Sequence, residues 1–146
     1  MGKWIEEHGV LSCPNGLLGF PHAKRFVILE ESEGKEPIFR WLQSVDDPDV
    51  AFVVADPDLF VKNYLENISV GDLRECHLKG DESPIFLVIV TVPADDPFGM
   101  TANLLAPIVL SPITKTIRQV VLSNSAYASH HPVFEKVRAA LVSASG

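Results

Sequence analysis

This sequence has few of the residue patterns that serve catalysis, metal binding or membrane insertion. It carries only two cysteines, Cys13 and Cys76. They are isolated, and the opening MGKWIEEHG lacks the basic-then-apolar pattern of a signal peptide. That leaves no basis for a disulfide framework and points to free thiols in a reducing, cytoplasmic setting. Glu6 stands where a myristoylation motif requires Ser or Thr. No apolar run approaches the ~20 residues of a membrane span, so no membrane partner is expected. GxGxxG and P-loop patterns are missing, which leaves no nucleotide cofactor signalled, and CxxC and HExxH are missing too. His130 and His131 are adjacent; on a strand they point to opposite faces and make poor joint metal ligands. Ser123, Ser125 and Ser129 lie near His130 without the glycine elbow that presents a nucleophile. Asp46, Asp47 and Asp49 offer oxygen ligands to Ca²⁺, but Pro48 stiffens the turn and no closing Glu follows at EF-hand spacing. Cys13 reads as a plain buried thiol. No catalytic, cofactor or metal site emerges, and a binding protein is favoured.

Acidic charge, in contrast, is abundant and localised. The formal net charge is −7. Between Glu30 and Asp58 stand nine acids (Glu30, Glu31, Glu33, Glu36, Asp46, Asp47, Asp49, Asp56, Asp58) and two bases (Lys35, Arg40), so this window accounts for the entire excess. Such a surface repels nucleic acid, so no direct nucleic-acid binding is expected, and it favours a basic partner. The alternative is a solubilising rim on an apolar hairpin.

The window contains the stretch around which the chain is organised, Ile38 to Pro57. Two apolar runs flank Asp46-Asp47-Pro48-Asp49, a turn in which proline presets φ and Asp suits the flanking positions. This predicts a hairpin. Because both runs are nearly continuous in apolar residues, both faces are expected to be covered, with the hairpin central in the core. Residues 3–12 read as a weak strand anchored by Trp4, Ile5, Val10 and Leu11. CPNGLLGFP follows as a turn-rich loop pinned by Leu17, Leu18 and Phe20. Lys24 to Leu29 reads as a strand and Glu30 to Pro37 as a polar loop. Ser69 is placed as the N-cap of a short helix reaching Cys76, with Asp72 at its third position.

Pro84 to Val92 is the strongest strand, β-branched and bounded by prolines. Thr101 to Leu110 reads as one strand interrupted near Ala106-Pro107, because proline cannot donate to a ladder. Ile117 to Leu122 is a further strand. Pro132 is expected to open a C-terminal helix over about residues 132–144, with Phe134, Val137, Leu141 and Val142 as one apolar stripe and Glu135–Arg138 as an exposed pair. Six or seven short strands against two helices predict a mainly β protein, a small antiparallel β-barrel-like domain with a short helix and a C-terminal helix, forming one domain over residues 1–146.

Trp41, Phe52 and Leu104 are expected in the core. Asn103, inside an apolar strand, reads as a hydrogen-bond hub or a contact residue. Tyr127, His131 and Phe134 lie at a loop–helix junction where a partner can dock.

Three blocks, taken together, carry a family resemblance: GLLGF with KRFVIL (Gly16 to Leu29), FRWLQSVDDPDVAFVVADP (Phe39 to Pro57), and VIVTVP with MTANLLAPIVL and RQVVL (Val88 to Leu122). In this order and spacing the chain resembles the bacterial flagellar assembly factor FliW family. Leu18 stands where the family pattern carries proline, and Pro21-His22 replace its acidic residue after GF. The resemblance implies a β-barrel-like fold and a non-enzymatic regulator. Such a regulator binds CsrA, a dimeric RNA-binding repressor of flagellin translation, and also binds flagellin, so that synthesis follows export. Asp46, Asp47 and Asp49, with Asn103, Tyr127, His131 and Phe134, are the candidate partner-binding residues. A small-ligand-binding β-barrel, a small hydrolase built on Ser125 or Ser129 with His130, and a structural subunit of the flagellum are the alternatives.

Overall fold

The computed structural model describes residues 9–30, 37–78, 83–123 and 126–145. Trp4, Ile5, Glu31, Glu33, Lys35, Glu36 and Ser125, named above, lie outside the described residues. Seven strands close a barrel: β1 (Leu11–Ser12), β2 (Arg25–Leu29), β3 (Arg40–Ser44), β4 (Ala51–Ala55), β5 (Ile85–Thr91), β7 (Ile108–Ser111) and β8 (Thr116–Gln119). Their order is β4-β3-β2-β1-β8-β7-β5, and β4 pairs with β5 to complete the ring. Every pairing is antiparallel except β1 with β8. Two-residue strands β6 (Thr101–Ala102) and β9 (His131–Pro132) continue the sheet beyond β5.

The interrupted strand is as the sequence indicates. β6 pairs with Val90 and Thr91 of β5, and β7 pairs with Ile85 to Leu87 of the same strand. Between them, residues 103–107 form no bridge with β5. Asn103 Oδ1 accepts the Ala106 N–H (3.0 Å), and the Asn103 N–H still donates to Ile89 (2.9 Å). A half-buried Asn is therefore the hub that turns the chain past Pro107, a position with no N–H to offer.

The expected hairpin forms, with the register Arg40↔Val54 through Gln43↔Ala51. Its coverage is different. Along β3, Arg40, Leu42 and Ser44 are buried while Trp41 is 42% exposed, so only one face meets the core and Trp41 is a surface residue. The strands covered on both faces are β5 and β7, whose Ile108 and Leu110 face one cluster and Val109 the other. Leu87 joins an interior cluster with Leu11, Phe26, Ile28, Leu42, Val54, Ile108, Leu110 and Ile117, a set drawn from all seven barrel strands. Phe86, Val88 and Val90 join a second cluster outside the barrel with Tyr64, Met100, Leu104, Val120, Tyr127 and Val137. Continuous apolar sequence marks two-sided burial, and β5 has it without a polar inward position such as Arg40. Leu104 is fully buried, as expected, and Phe52 is half-buried against the rings of Phe20 (5.2 Å) and Phe26 (6.5 Å).

Among the described residues two α-helices flank the barrel, α1 (Val70–Glu75) and α2 (Phe134–Ser145). Ser69 caps α1, its Oγ accepting the Asp72 N–H at 3.0 Å. Pro132 does not open α2; it pairs with Thr101 in β9, and the helix starts two residues later. An unpaired N–H side suits proline as well at a strand end as at a helix start. Of the expected stripe, Val137 is buried and Phe134 half-buried, while Leu141 and Val142 are exposed, because α2 runs past the body it packs on. Leu18, expected to pin its loop, is 59% exposed; Leu17 does the pinning.

Candidate functional site

The acidic turn between β3 and β4 is a rigid presentation of carboxylates. Ser44 donates its N–H to the Val50 carbonyl (2.9 Å), and Val50 returns one to Asp47 (3.0 Å). Ser44 Oγ accepts the Asp47 N–H and Asp47 Oδ1 accepts the Asp49 N–H, each at 3.0 Å. Gln43 Nε2 reaches the carbonyls of Pro48 (3.3 Å) and Val50 (3.2 Å). These bonds use the Asp and Ser side chains as local backbone caps, which is why those residue types recur in turns. Residues 45–49 are all exposed.

The three acids are not equivalent. Asp46 accepts from Arg25 Nε (3.0 Å) and Nη2 (2.6 Å) across the β2–β3 pair. That guanidinium holds the Asp46 carboxyl below the usual carboxylate range, chiefly by hydrogen bonding. Asp46 is therefore ion-paired, while Asp47 and Asp49 make no ion pair among the described residues. Glu30, counted with the acidic window, is removed from the surface altogether. Its Oε2 lies 3.2 Å from Arg40 Nε, with side chains 8% and 6% exposed. Of the window's described acids, Asp47, Asp49, Asp56 and Asp58 remain outward-facing without an ion pair among the described residues. Sequence reasoning missed both arginine pairings; the available signal was Arg40 itself, a charge inside an otherwise apolar strand.

Tyr127, His131 and Phe134 form no single constellation with the turn; no hydrogen bond, ion pair or ring contact among the described residues joins them to it. Tyr127 is a core residue. Its ring lies 4.7 Å from that of Tyr64, and its hydroxyl donates to the Tyr64 carbonyl at 3.3 Å. The Tyr64 hydroxyl donates in turn to Leu104, and burial pushes its phenol upward. His131 is a ladder residue opposite Ala102. Phe134 is half-buried with its ring 4.6 Å from Phe98, which is 71% exposed and is the solvent-facing member of the pair. Phe98 had no periodic signal, since it sits in the short 3-10 turn Pro97–Gly99.

Ser129 Oγ lies 2.9 Å from His130 Nδ1, but the two are sequence neighbours on exposed loop, not members of a concave site. The barrel interior, where a small ligand would sit, is filled by Leu11, Phe26, Ile28, Leu42, Ile108, Leu110 and Ile117, all at 0% exposure. Among the described residues no group of three or more His, Cys, Asp and Glu is placed to hold a metal ion, and no helix is long and apolar enough to cross a membrane. An open cleft of about 310 Å³ lies elsewhere, lined by Asn15, Glu75, His77, Arg118, Gln119, Val120 and Val121.

Comparison with known proteins places this barrel. Residues 3–133 match the family model described as FliW protein. A protein of Bdellovibrio bacteriovorus named Flagellar assembly factor FliW is 38% identical over 138 residues, covering 94% of this chain and 77% of that one. Its counterpart in Leptospira interrogans serovar copenhageni is 40% identical over 131 residues, covering 90% and 86%. A solved structure, described as the crystal structure of the flagellar assembly factor FliW, superposes with a TM-score of 0.72 at 32% identity, covering 88% of this chain and 87% of that one.

Proposed function

The chain belongs to the FliW family of flagellar assembly factors, and on that premise we propose that it is a cytoplasmic, non-catalytic regulator that binds CsrA and flagellin by turns. CsrA bound to this protein no longer represses flagellin mRNA. Newly made flagellin displaces CsrA, repression returns, and export of flagellin resets the exchange.

The observation that carries this reading is the acidic turn. An RNA-binding protein presents basic surface to phosphates. A rigid turn offering Asp47 and Asp49, with Asp56 and Asp58 at the end of β4, complements such a surface and repels an RNA backbone approaching it. The turn needs no side-chain reorganisation on binding, because its hydrogen bonds are already made within residues 43–50. Phe98 and Phe134 supply an apolar contact separate from the charged one.

The test is calorimetric titration with CsrA and then with flagellin, at two salt concentrations. CsrA binding is expected to weaken with salt, and Asp47→Lys with Asp49→Lys should reduce RNA displacement more than CsrA binding. Equal losses would remove the electrostatic part of the reading, and silence from both partners would remove the reading itself. Phe98→Ser is expected to weaken one of the two titrations and leave the other intact.

A further inference from the structure

The cleft beside β8 has the features of a strand-addition site. β8 pairs with β7 along its whole length, but with β1 at one position only, Ser12↔Thr116. Backbone direction alternates along a strand. Ser12 donates its N–H to the Lys115 carbonyl on the β1 side, while the N–H groups of Val120 and Leu122 donate to Pro107 and Leu105 on the β7 side. By that alternation the N–H and C=O groups of Gln119 and Val121 point to the edge that β1 leaves open. Neither makes a backbone hydrogen bond among the described residues. This edge lines the cleft together with Asn15, with Glu75 at the end of α1 and with His77 just beyond it.

The cleft also holds an unmatched cation. Arg118 is half-buried and has no ion pair or side-chain hydrogen bond among the described residues, although Glu75 lines the same cleft. Guanidinium groups pair bidentately with carboxylates, and an unpartnered one at a strand edge selects for them. Val121 (56% exposed) and Leu18 (59%), whose N–H donates to Gln119 Oε1 at 2.9 Å, add apolar surface along the edge.

We propose that the Gln119–Val121 edge is a docking groove for an extended peptide segment bearing an acidic side chain. The peptide backbone pairs with the N–H and C=O groups of Gln119 and Val121, and its carboxylate is received by Arg118. This is recognition by β-augmentation, in which main-chain bonds supply affinity and alternate side chains supply specificity. It stands independently of the CsrA and flagellin reading, which rests on the opposite charge at a different turn.

The probe is the acetylated, amidated pentapeptide Thr-Val-Glu-Val-Thr, followed through the backbone amide NMR signals of the full chain. Binding should shift the amides of Gln119 and Val121 most. The same peptide with Lys at its centre should bind about tenfold more weakly, and one N-methylated at its central residue should lose binding. Arg118→Gln should erase the Glu-over-Lys preference, and Glu75→Gln, which removes the competing carboxylate, should strengthen the Glu peptide. Should Arg118→Gln unfold the protein, the Glu75→Gln and peptide comparisons carry the decision alone. Equal affinity for the Glu and Lys peptides, unchanged binding of the N-methylated peptide, or shifts confined to other residues would overturn the proposal. So would a concentration-dependent dimer, seen by sedimentation, that protects the same amides without peptide, because the occupant would then be a second copy of the chain.

Discussion

Asp72 and Ser123 are bound twice: Asp72 Oδ2 accepts both the backbone N–H and the hydroxyl of Ser123, each at 2.9 Å. Helix α1 is thereby tied to the segment that follows β8, residues far apart in the chain.

The Ser123 N–H, with the hydroxyls of Ser123 and Ser69, outweighs burial and holds the Asp72 carboxyl below its ordinary value. A depressed folded-state pKa contributes stability that is fully present above the unfolded value, ~3.9, and is lost as pH falls through the folded one. Urea unfolding between pH 5 and pH 2 should therefore show declining stability, and Asp72→Asn should flatten part of that decline. An unchanged slope in the variant would dissociate Asp72 from the effect.

Glu30, one residue past the end of β2, and Arg40, the first residue of β3, form a nearly enclosed pair. Removing one partner strands a buried charge, so Arg40→Met alone should cost about 3–5 kcal/mol. Replacing both, with Glu30→Leu added, should restore most of the loss. A double-mutant cycle by denaturant unfolding checks this; additive losses would mean the pair is not coupled.

Gly19 has φ +83° between Leu17 and Phe20, which exchange backbone hydrogen bonds of 3.2 and 2.7 Å. That geometry, with Leu18 at ordinary negative φ, is a type II turn, whose second position favours proline. In this chain the Leu18 N–H is used by Gln119 Oε1. Leu18→Pro should consequently be nearly neutral, its entropic gain of about 0.4–1 kcal/mol offset by the lost bond. In a Gln119→Leu background the same change should stabilise by that full ~0.4–1 kcal/mol. Thermal unfolding of the four variants distinguishes this from simple additivity.

Burial pushes both thiols, Cys13 and Cys76, up to about 11. The thiolate is the reactive form, so neither should react with a disulfide reagent at pH 8 in the native protein, and both should react at once in denaturant. A thiol titrating in the native state would show that its cover opens.

Much of the fold was legible because its cues are local. The Asp46-Asp47-Pro48-Asp49 turn, the Ser69 cap, the interruption before Pro107 and the Glu135–Arg138 pair depend on residues within a few positions of each other, and each stands as read. Trp41 was misplaced because an apolar residue in a strand carries no mark of which face will be covered. Pro132 was misplaced because proline suits strand ends and helix starts alike. The Phe98–Phe134 contact and the open edge beside Gln119 had no local signal at all.

Most of the barrel strands, the central turn, the family and the concentration of acidic residues were legible along the chain, since periodicity, φ preference and charge are properties of neighbours in sequence. The tertiary structure alone decided which acids remain a surface. Closing the barrel set Arg40 beside Glu30 and Arg25 beside Asp46, because strand register brings together residues 10 and 21 positions apart. Charge counted along a chain becomes charge presented to a partner only after such pairings are subtracted.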